Sequence, residues 1–541
     1  MTGKPTNEDI KIKIMKPNPA HKTHWRLPRP TSSVLPAALA RPGLRRLFLA
    51  ACLAFAVPAF PAEKPNTLAK KPNILAKKPN ILMIVVDDLR PQLACYGQSQ
   101  MKSPNIDRLA AEGVLFNRAY CMAPICGASR ASLMTSIRPA PKRFVGHLAY
   151  AEKEAPGITT LNTHLKQNGY YTVSNGKVFH HLDDNASGWS EPAWRPDQRN
   201  GAAPAGKAAP QEQAGGKKDG EAGQNKDEDG NSRREPYQIS PLSDEELGDG
   251  QLARKTIEDL RRLKAKGQPF FLAAGFFKPH LPFIAPKKYW DLYPAETIKL
   301  PTDYHRPEDA PDVAIHNSGE LRNFAGVPKT GPVSDDMARN LIRGYYACVS
   351  FTDAQIGKVL DELDRLDLAK NTIVILWGDH GWSLGEHTLW CKHSCFETAM
   401  RVPLIVRAPA VKGGVRTEAL TELTDVYPSL CELAGAPIPS HVQGRSFVPL
   451  LKHPAMPWKE QAIGRFGQGD TIRTATHRFT EYSTAQRGPF ARMLYDHRAD
   501  PGENVNLSEQ PAHAEITSRL TERLRAGKGK DGDLPRPPIA K

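Results

Sequence analysis

The chain has 541 residues with 73 Lys and Arg against 58 Asp and Glu, a formal charge of +15. That length excludes a single small core and accommodates one large domain with a smaller companion. Residues 1–82 hold 15 of the basic and 3 of the acidic side chains, leaving 58 against 55 for the remainder, so the folded part is nearly neutral and its charge does not point to nucleic acid.

In chain order, Arg45 and Arg46 precede an apolar run, Leu47 to Ala62, that is too short to span a bilayer and contains a Val57-Pro58-Ala59 cleavage-like site. Residues 1–62 therefore read as a leader with a signal peptide, for periplasmic or secreted export with no membrane span left after cleavage. The string Arg45-Arg46-Leu47-Phe48-Leu49 fits a twin-arginine signal, and the long n-region points to a true start downstream of Met1. A seven-residue tandem repeat follows at 62–68, 69–75 and 76–82, and only its last copy runs into an apolar strand. Residues 63–78 are accordingly read as a linker. Residues 200–236 lack large apolar side chains and are read as a mobile insertion, and 527–541 as a disordered tail.

Between these stretches short apolar runs alternate with helical patterns, which predicts an α/β fold with a mostly parallel sheet covered by helices on both faces. The runs are Ile81 to Val86, Tyr170 to Val173, Phe270 to Phe277 and Thr372 to Trp377; helices are expected over Pro104–Glu112, Ile158–Gln167, Asp336–Leu366 and Leu420–Ala434. A catalytic domain over 79–456 and a smaller α+β subdomain over 457–526, with antiparallel strands around Thr471–Tyr482, complete the layout. Eight cysteines without a Cys-x-x-Cys pair exclude a disulfide framework and leave one or two bridges open.

Each predicted strand ends in polar groups: Asp87-Asp88, Gly176-Lys177, Lys278-Pro279-His280 and Asp379-His380. Ligands of open α/β sheets bind beyond the carboxyl ends of the strands, so these groups should converge. Adjacent carboxylates after a buried strand repel each other unless a cation lies between them, and Asp87, Asp88 and Asp379, with His380, offer the donors that Ca²⁺ or Mg²⁺ takes. Cys126 precedes an expected helix start, where unpaired amide N–H groups favour an anion.

The segment Cys126-Gly127-Ala128-Ser129-Arg130 resembles the sulfatase signature Cys-x-Pro-Ser-Arg, with Ala128 where proline is usual. Supporting stretches are Asn80-Ile-Leu-Met-Ile-Val-Val-Asp-Asp88, Gly176-Lys-Val-Phe-His180, Lys278-Pro-His-Leu-Pro-Phe283, Gly378-Asp-His-Gly-Trp-Ser-Leu-Gly-Glu-His387 and Leu494-Tyr-Asp-His-Arg-Ala-Asp-Pro-Gly-Glu503. Over roughly Pro79 to Leu507 the chain resembles the sulfatases of the alkaline-phosphatase superfamily, most of all their iduronate-2-sulfatase branch.

The resemblance implies an alkaline-phosphatase-like mixed sheet, a calcium ion on Asp87, Asp88, Cys126, Asp379 and His380, and conversion of Cys126 to formylglycine by a formylglycine-generating enzyme. It implies that Arg130 holds the hydrated aldehyde, that Lys177 and Lys392 clamp sulfate, and that His180 supports the diol. His280 becomes the general acid, and Lys278, two residues away on an extended segment, shares substrate contact. The substrate it implies is a sulfated carbohydrate, as in glycosaminoglycan degradation. The rival readings are a phosphodiesterase or phosphonate monoester hydrolase of the same superfamily and an inactive glycan-binding relative with an unmodified Cys126.

Overall fold

The computed structural model describes residues 78–196, 225–226 and 232–527. The leader, the linker up to residue 77, most of the 200–236 stretch and the tail from 528 lie outside the described residues. Of that stretch, Asn225–Lys226 pairs with Ser232–Arg233, and residues 234–236 join the fold through Ala325 N–H donating to the Arg234 carbonyl and Phe283 N–H to that of Pro236.

Seven strands build the central sheet: β1 (Asn80–Val86), β2 (Val114–Phe116), β3 (Tyr171–Gly176), β4 (Phe270–Phe276), β5 (Thr372–Gly378), β6 (Leu404–Arg407) and β7 (Val415–Thr417). Their order is β7-β2-β6-β5-β1-β4-β3. The β5-β1-β4-β3 block is parallel, while β6 runs antiparallel to both β5 and β2, so the sheet is mixed and mostly parallel. Every residue of β1, β4 and β5 is buried. Strands covered on both faces read as unbroken apolar runs, which is why their ends were legible.

The longer helices among the described residues are α1 (Pro104–Glu112), α2 (Cys126–Thr135), α3 (Leu161–Gln167), α4 (Gly248–Lys266), α5 (Asp335–Arg365), α6 (Val426–Leu433) and α7 (Ala514–Gly527). Side chains alternate across a strand, and the two cores follow that alternation. Leu82, Ile84 and Val86 pack with α1, α4 and α5, whereas Ile81, Met83 and Val85 pack with α2, α3 and α6. The expected α1 matches end to end. The expected helix over Leu420–Ala434 is corrected: Thr421–Glu422 is a strand, Leu423–Asp425 a 3₁₀ turn, and the α-helix starts at Val426. Glu422 takes the capping-box position there, its side chain accepting from Asp425 N–H while the Asp425 carboxylate accepts from Glu422 N–H, which separates strand from helix.

Register then fixes the site. Val86 lies opposite both Gly378 and Phe276, and Gly176 opposite Gly275, so the residues after all four parallel strands emerge on one edge. A side chain at Gly275 would collide with the Lys177 backbone, which crosses β4 at that point.

The C-terminal unit is an antiparallel sheet of β8 (Gln461–Phe466), β9 (Gly469–Thr474), β10 (His477–Thr484) and β11 (Gly488–Asp496). One face holds Ile463, Ile472, Phe479 and Leu494 against Leu520 and Leu524 of α7; the other buries Tyr482, Met493 and Tyr495 against Leu389 and Phe396 of the large domain. All seven cysteines among the described residues are buried free thiols, and no described helix is long and apolar enough to cross a membrane. Leu524→Ala empties a fully buried position and is expected to cost about 2–5 kcal/mol in denaturant unfolding; a cost under about 1 kcal/mol would contradict this packing.

Candidate active site

Asp87 and Asp88 leave β1 in a sharp turn. Asp88 sits at φ 59°, a conformation that non-glycine residues adopt only when surroundings hold them there. Its N–H donates to Asp379 Oδ1 at 3.0 Å and its carbonyl accepts from the Tyr345 hydroxyl at 2.8 Å. Both aspartates, with Asp379 and His380 after β5, are at most 1% exposed.

Cys126 opens α2, its sulfur 3.2 Å from His380 Nε2 and 3.9 Å from Asp88 Oδ1. The chain packs so closely that a side chain at Gly127 would strike the His147 carbonyl. Ala128 occupies the first turn, where proline is tolerated but not required, and is fully buried. Burial, with Asp87 beside it, pushes the Cys126 thiol well above its ordinary pKa, so an unmodified cysteine keeps its proton and is a poor nucleophile.

Arg130, one turn further along α2, is fully buried. Its Nη2 donates to Asp87 Oδ1 at 2.8 Å, its Nε to Asp379 Oδ2 at 2.9 Å, and its Nη1 to the carbonyls of Lys177 and Val178. Its guanidinium thus braces the carboxylates from both strands. Lys177 Nζ donates to the other Asp87 oxygen at 2.7 Å. Burial alone would raise the Asp87 pKa, but Lys177 and Arg130 hold it well below the usual carboxylate range.

Asp88 behaves differently. Burial, opposed by Lys392 and reinforced by the neighbouring Asp87 and Glu320 charges, raises it to about 7. Lys392 Nζ reaches Asp88 at 3.0 and 3.2 Å and Glu320 Oε1 at 3.0 Å. His280 Nε2 stands 3.2 Å from the same Glu320 oxygen and 3.9 Å from Asp88, while its Nδ1 bonds the Leu281 carbonyl at 2.6 Å. His180 carries a buried Nδ1 without a hydrogen-bond partner, and burial lowers its pKa to about 2. A cavity of about 420 Å³ opens over the group, lined among others by Asp87, Lys177, His180, Lys278 and His280.

Lys278 departs from the extended geometry expected of it. The chain turns through Pro279 and Pro282, and the ammonium donates to the carbonyls of His280 at 2.8 Å and Pro282 at 2.6 Å, so it braces the His280 loop from within. Arg473 is salt-bridged to Glu397, and Glu386 to Arg90; both are structural. Glu320 and Tyr345 were not foreseen. Glu320 lies on a single turn, Gly319–Arg322, too short to carry a sequence pattern, and Tyr345 reads as one more apolar-face residue of α5.

One donor atom from each of Asp87, Asp88, Cys126 and His380 lies within 4.8 Å of the others. Asp379 adjoins them, its Oδ2 3.6 Å from His380 Nε2. His380 Nδ1 donates to the Gly381 carbonyl at 2.9 Å, which leaves Nε2 facing Asp88 Oδ1 at 3.3 Å. Carboxylate oxygens and an imidazole nitrogen gathered this closely in a dry site fit a hard divalent cation between them. A second acidic group, Glu397, His497 and Glu503, is already satisfied by Arg473 and Arg478.

A mixed, mostly parallel sheet with a buried group of carboxylates, a cysteine and a histidine at its strand ends, able to hold a metal ion, is of the alkaline-phosphatase-like fold class. A family model described as Sulfatase matches residues 79–436, and one described as N-sulphoglucosamine sulphohydrolase, C-terminal, matches 385–530. Iduronate 2-sulfatase of Mus musculus is 36% identical over 406 residues, covering 68% of this chain and 70% of that protein. A sulfatase of Formosa agariphila is 32% identical over 436 residues, covering 79% and 82%. Among solved structures, a protein in complex with its substrate D-glucosamine-2-N,6-O-disulfate shares the fold at TM-score 0.65 and 22% identity, over 85% of this chain and 99% of that one. Phosphonate monoester hydrolase of Agrobacterium radiobacter shares it at 0.66 and 21%, over 83% and 95%. The chain belongs to the sulfatase family and is a sulfuric ester hydrolase.

Because Arg130 is the buried partner of two carboxylates, Arg130→Ala strips Asp379 of its guanidinium partner and leaves Asp87 with Lys177 alone. Equilibrium unfolding is expected to show a loss of about 3–5 kcal/mol, and a loss below about 1 kcal/mol would remove it from this bracing role.

Proposed function

We propose that the protein is an exported enzyme that removes sulfate from sulfated carbohydrates. Its nucleophile derives from formylglycine at position 126, made by a formylglycine-generating enzyme, and a calcium ion is held by Asp87, Asp88, Asp379, His380 and residue 126. The observation that carries the reading is the charge balance. Four carboxylates, Asp87, Asp88, Asp379 and Glu320, face three cationic side chains, Arg130, Lys177 and Lys392. With Asp88 ionised, as a cation beside it would favour, one negative charge is left over, and a divalent cation turns it into one positive charge, the sign needed to hold a singly charged sulfate ester. Oxygen-rich donors with a single imidazole suit calcium, with magnesium the alternative.

Calcium would supply Lewis-acid polarisation of a sulfate oxygen. Formylglycine, as its hydrate, would supply an oxygen nucleophile and a second hydroxyl through which sulfate can leave without water attacking sulfur. The chain's own residues do the rest. Lys177 and Lys392 neutralise the non-bridging oxygens, and Arg130 keeps Asp87 and Asp379 aimed. His280 delivers the Nε2 proton to the leaving oxygen. Burial, with the Lys392 ammonium nearby, lowers its pKa to about 4, and an anionic ester entering beside it favours the protonated form. His180, kept neutral by burial, has a buried, unpartnered Nδ1 that can accept a hydrogen bond from the second hydroxyl.

The carbohydrate class rests on the relatives: an iduronate 2-sulfatase over most of the domain, and a protein of the same fold bound to a sulfated glucosamine. With calcium present, at least one oligosaccharide in a sulfated-glycosaminoglycan panel is expected to lose sulfate. Cys126→Ala is expected to slow turnover by on the order of 10³-fold or more, and a calcium chelator to abolish it reversibly. Faster turnover of a phosphodiester than of 4-nitrocatechol sulfate would transfer the assignment to the phosphodiesterase reading; unmodified cysteine at 126 in protein from its native host would support the inactive relative.

A further inference from the structure

Glu320 enters the charge balance but takes no step in the chemistry assigned so far, yet one of its oxygens touches two of the groups that perform it. Oε1 lies 3.0 Å from Lys392 Nζ and 3.2 Å from His280 Nε2. Its segment is fastened to the short strand Trp390–Cys391 and to Lys392 just after it: His316 Nε2 donates to the Lys392 carbonyl at 2.9 Å, Ser318 N–H donates to His316 Nδ1 at 2.9 Å, and Trp390 N–H donates to the Ser318 hydroxyl at 3.0 Å. Ser318 adopts φ 53° and Cys391 φ 70°, so both backbones are held in uncommon conformations where they meet.

We infer that Glu320 is a positioning residue that couples the sulfate clamp to the general acid, its single oxygen holding the Lys392 ammonium and the His280 imidazole at a fixed separation. This rests on the reading above, in which Asp88 belongs to the cation-binding set. Of the two carboxylates that Lys392 touches, Glu320 alone then serves the lysine itself. A lysine stem has several rotatable bonds and wanders unless its head group is anchored. The ring of His280 is fixed at Nδ1 by Leu281, and Glu320 fixes the direction in which Nε2 points. Together they keep the Nε2 edge beside the ammonium, so that an entering ester's bridging oxygen replaces Glu320 Oε1 as the acceptor of the Nε2 proton while the ammonium holds its non-bridging oxygens. Glu320 itself exchanges no proton in this scheme.

The test is a series of substituted phenyl sulfates with leaving groups from good to poor, run on the full-length converted enzyme with calcium. Glu320→Gln is the main variant, Glu320→Asp guards against misfolding, and His280→Ala is the reference. A misdirected acid matters little when the leaving group needs no proton. Glu320→Gln is therefore expected to lose about tenfold in kcat/KM on 4-nitrophenyl sulfate and about a hundredfold on phenyl sulfate, following the trend of His280→Ala, with Glu320→Asp in between. An equal loss on both substrates, or none, while His280→Ala shows the trend, would overturn the role of Glu320 alone. If His280→Ala shows no trend, the acid assignment fails first and the coupling fails with it.

Discussion

Asp87, Asp88 and Asp379 are held out of water at the ends of two adjacent strands, a concentration of like charge that costs several kcal/mol per ion unless it is compensated. Nearly every feature of the site answers that constraint. Arg130 reaches both strands with one planar fork, Lys177 takes the second oxygen of Asp87, and Lys392 takes Asp88. A guanidinium is suited to the double contact because its donors are fixed in a plane, which an ammonium cannot reproduce. What these cations leave uncompensated is what a bound divalent ion, and then an anionic ester, can use.

Holding such charges in place requires a stiff support. Strands β1, β4 and β5 are sealed on both faces by the two cores, so the residues beyond them cannot drift apart to relieve their repulsion. The Tyr345 hydroxyl, reaching in from α5, fastens the Asp88 carbonyl, and the C-terminal sheet packs through Tyr482, Met493 and Tyr495 on the loop that continues from Lys392 to Phe396. The small unit thereby steadies one wall of the site that the large one builds.

Much of this was legible in the sequence because doubly buried strands announce themselves as apolar runs, and the charged residues that break those runs mark the edge where ligands bind. Asp87, Asp379 and Lys177 follow from that logic alone. The short strands β2 and β6 were not anticipated, since three or four apolar residues carry no period of their own. Lys278 was placed by a two-residue alternation that Pro279 and Pro282 interrupt. The resemblance assigns Arg130 to the hydrated aldehyde; its carboxylate partners, Asp87 and Asp379, come from other elements, and spacing along one helix cannot name them. Glu320 is 72 residues from Lys392, and a one-turn helix offers no pattern from which that meeting could be read.

The central claim is that one divalent ion occupies the space between these strand ends. Anomalous diffraction from crystals grown with calcium tests it most directly. The account predicts a single peak bounded by Asp87, Asp88, Asp379, His380 and residue 126, with oxygen contacts of about 2.3–2.6 Å. A map without a peak there, with Lys392 remaining the sole cation on Asp88, would contradict it.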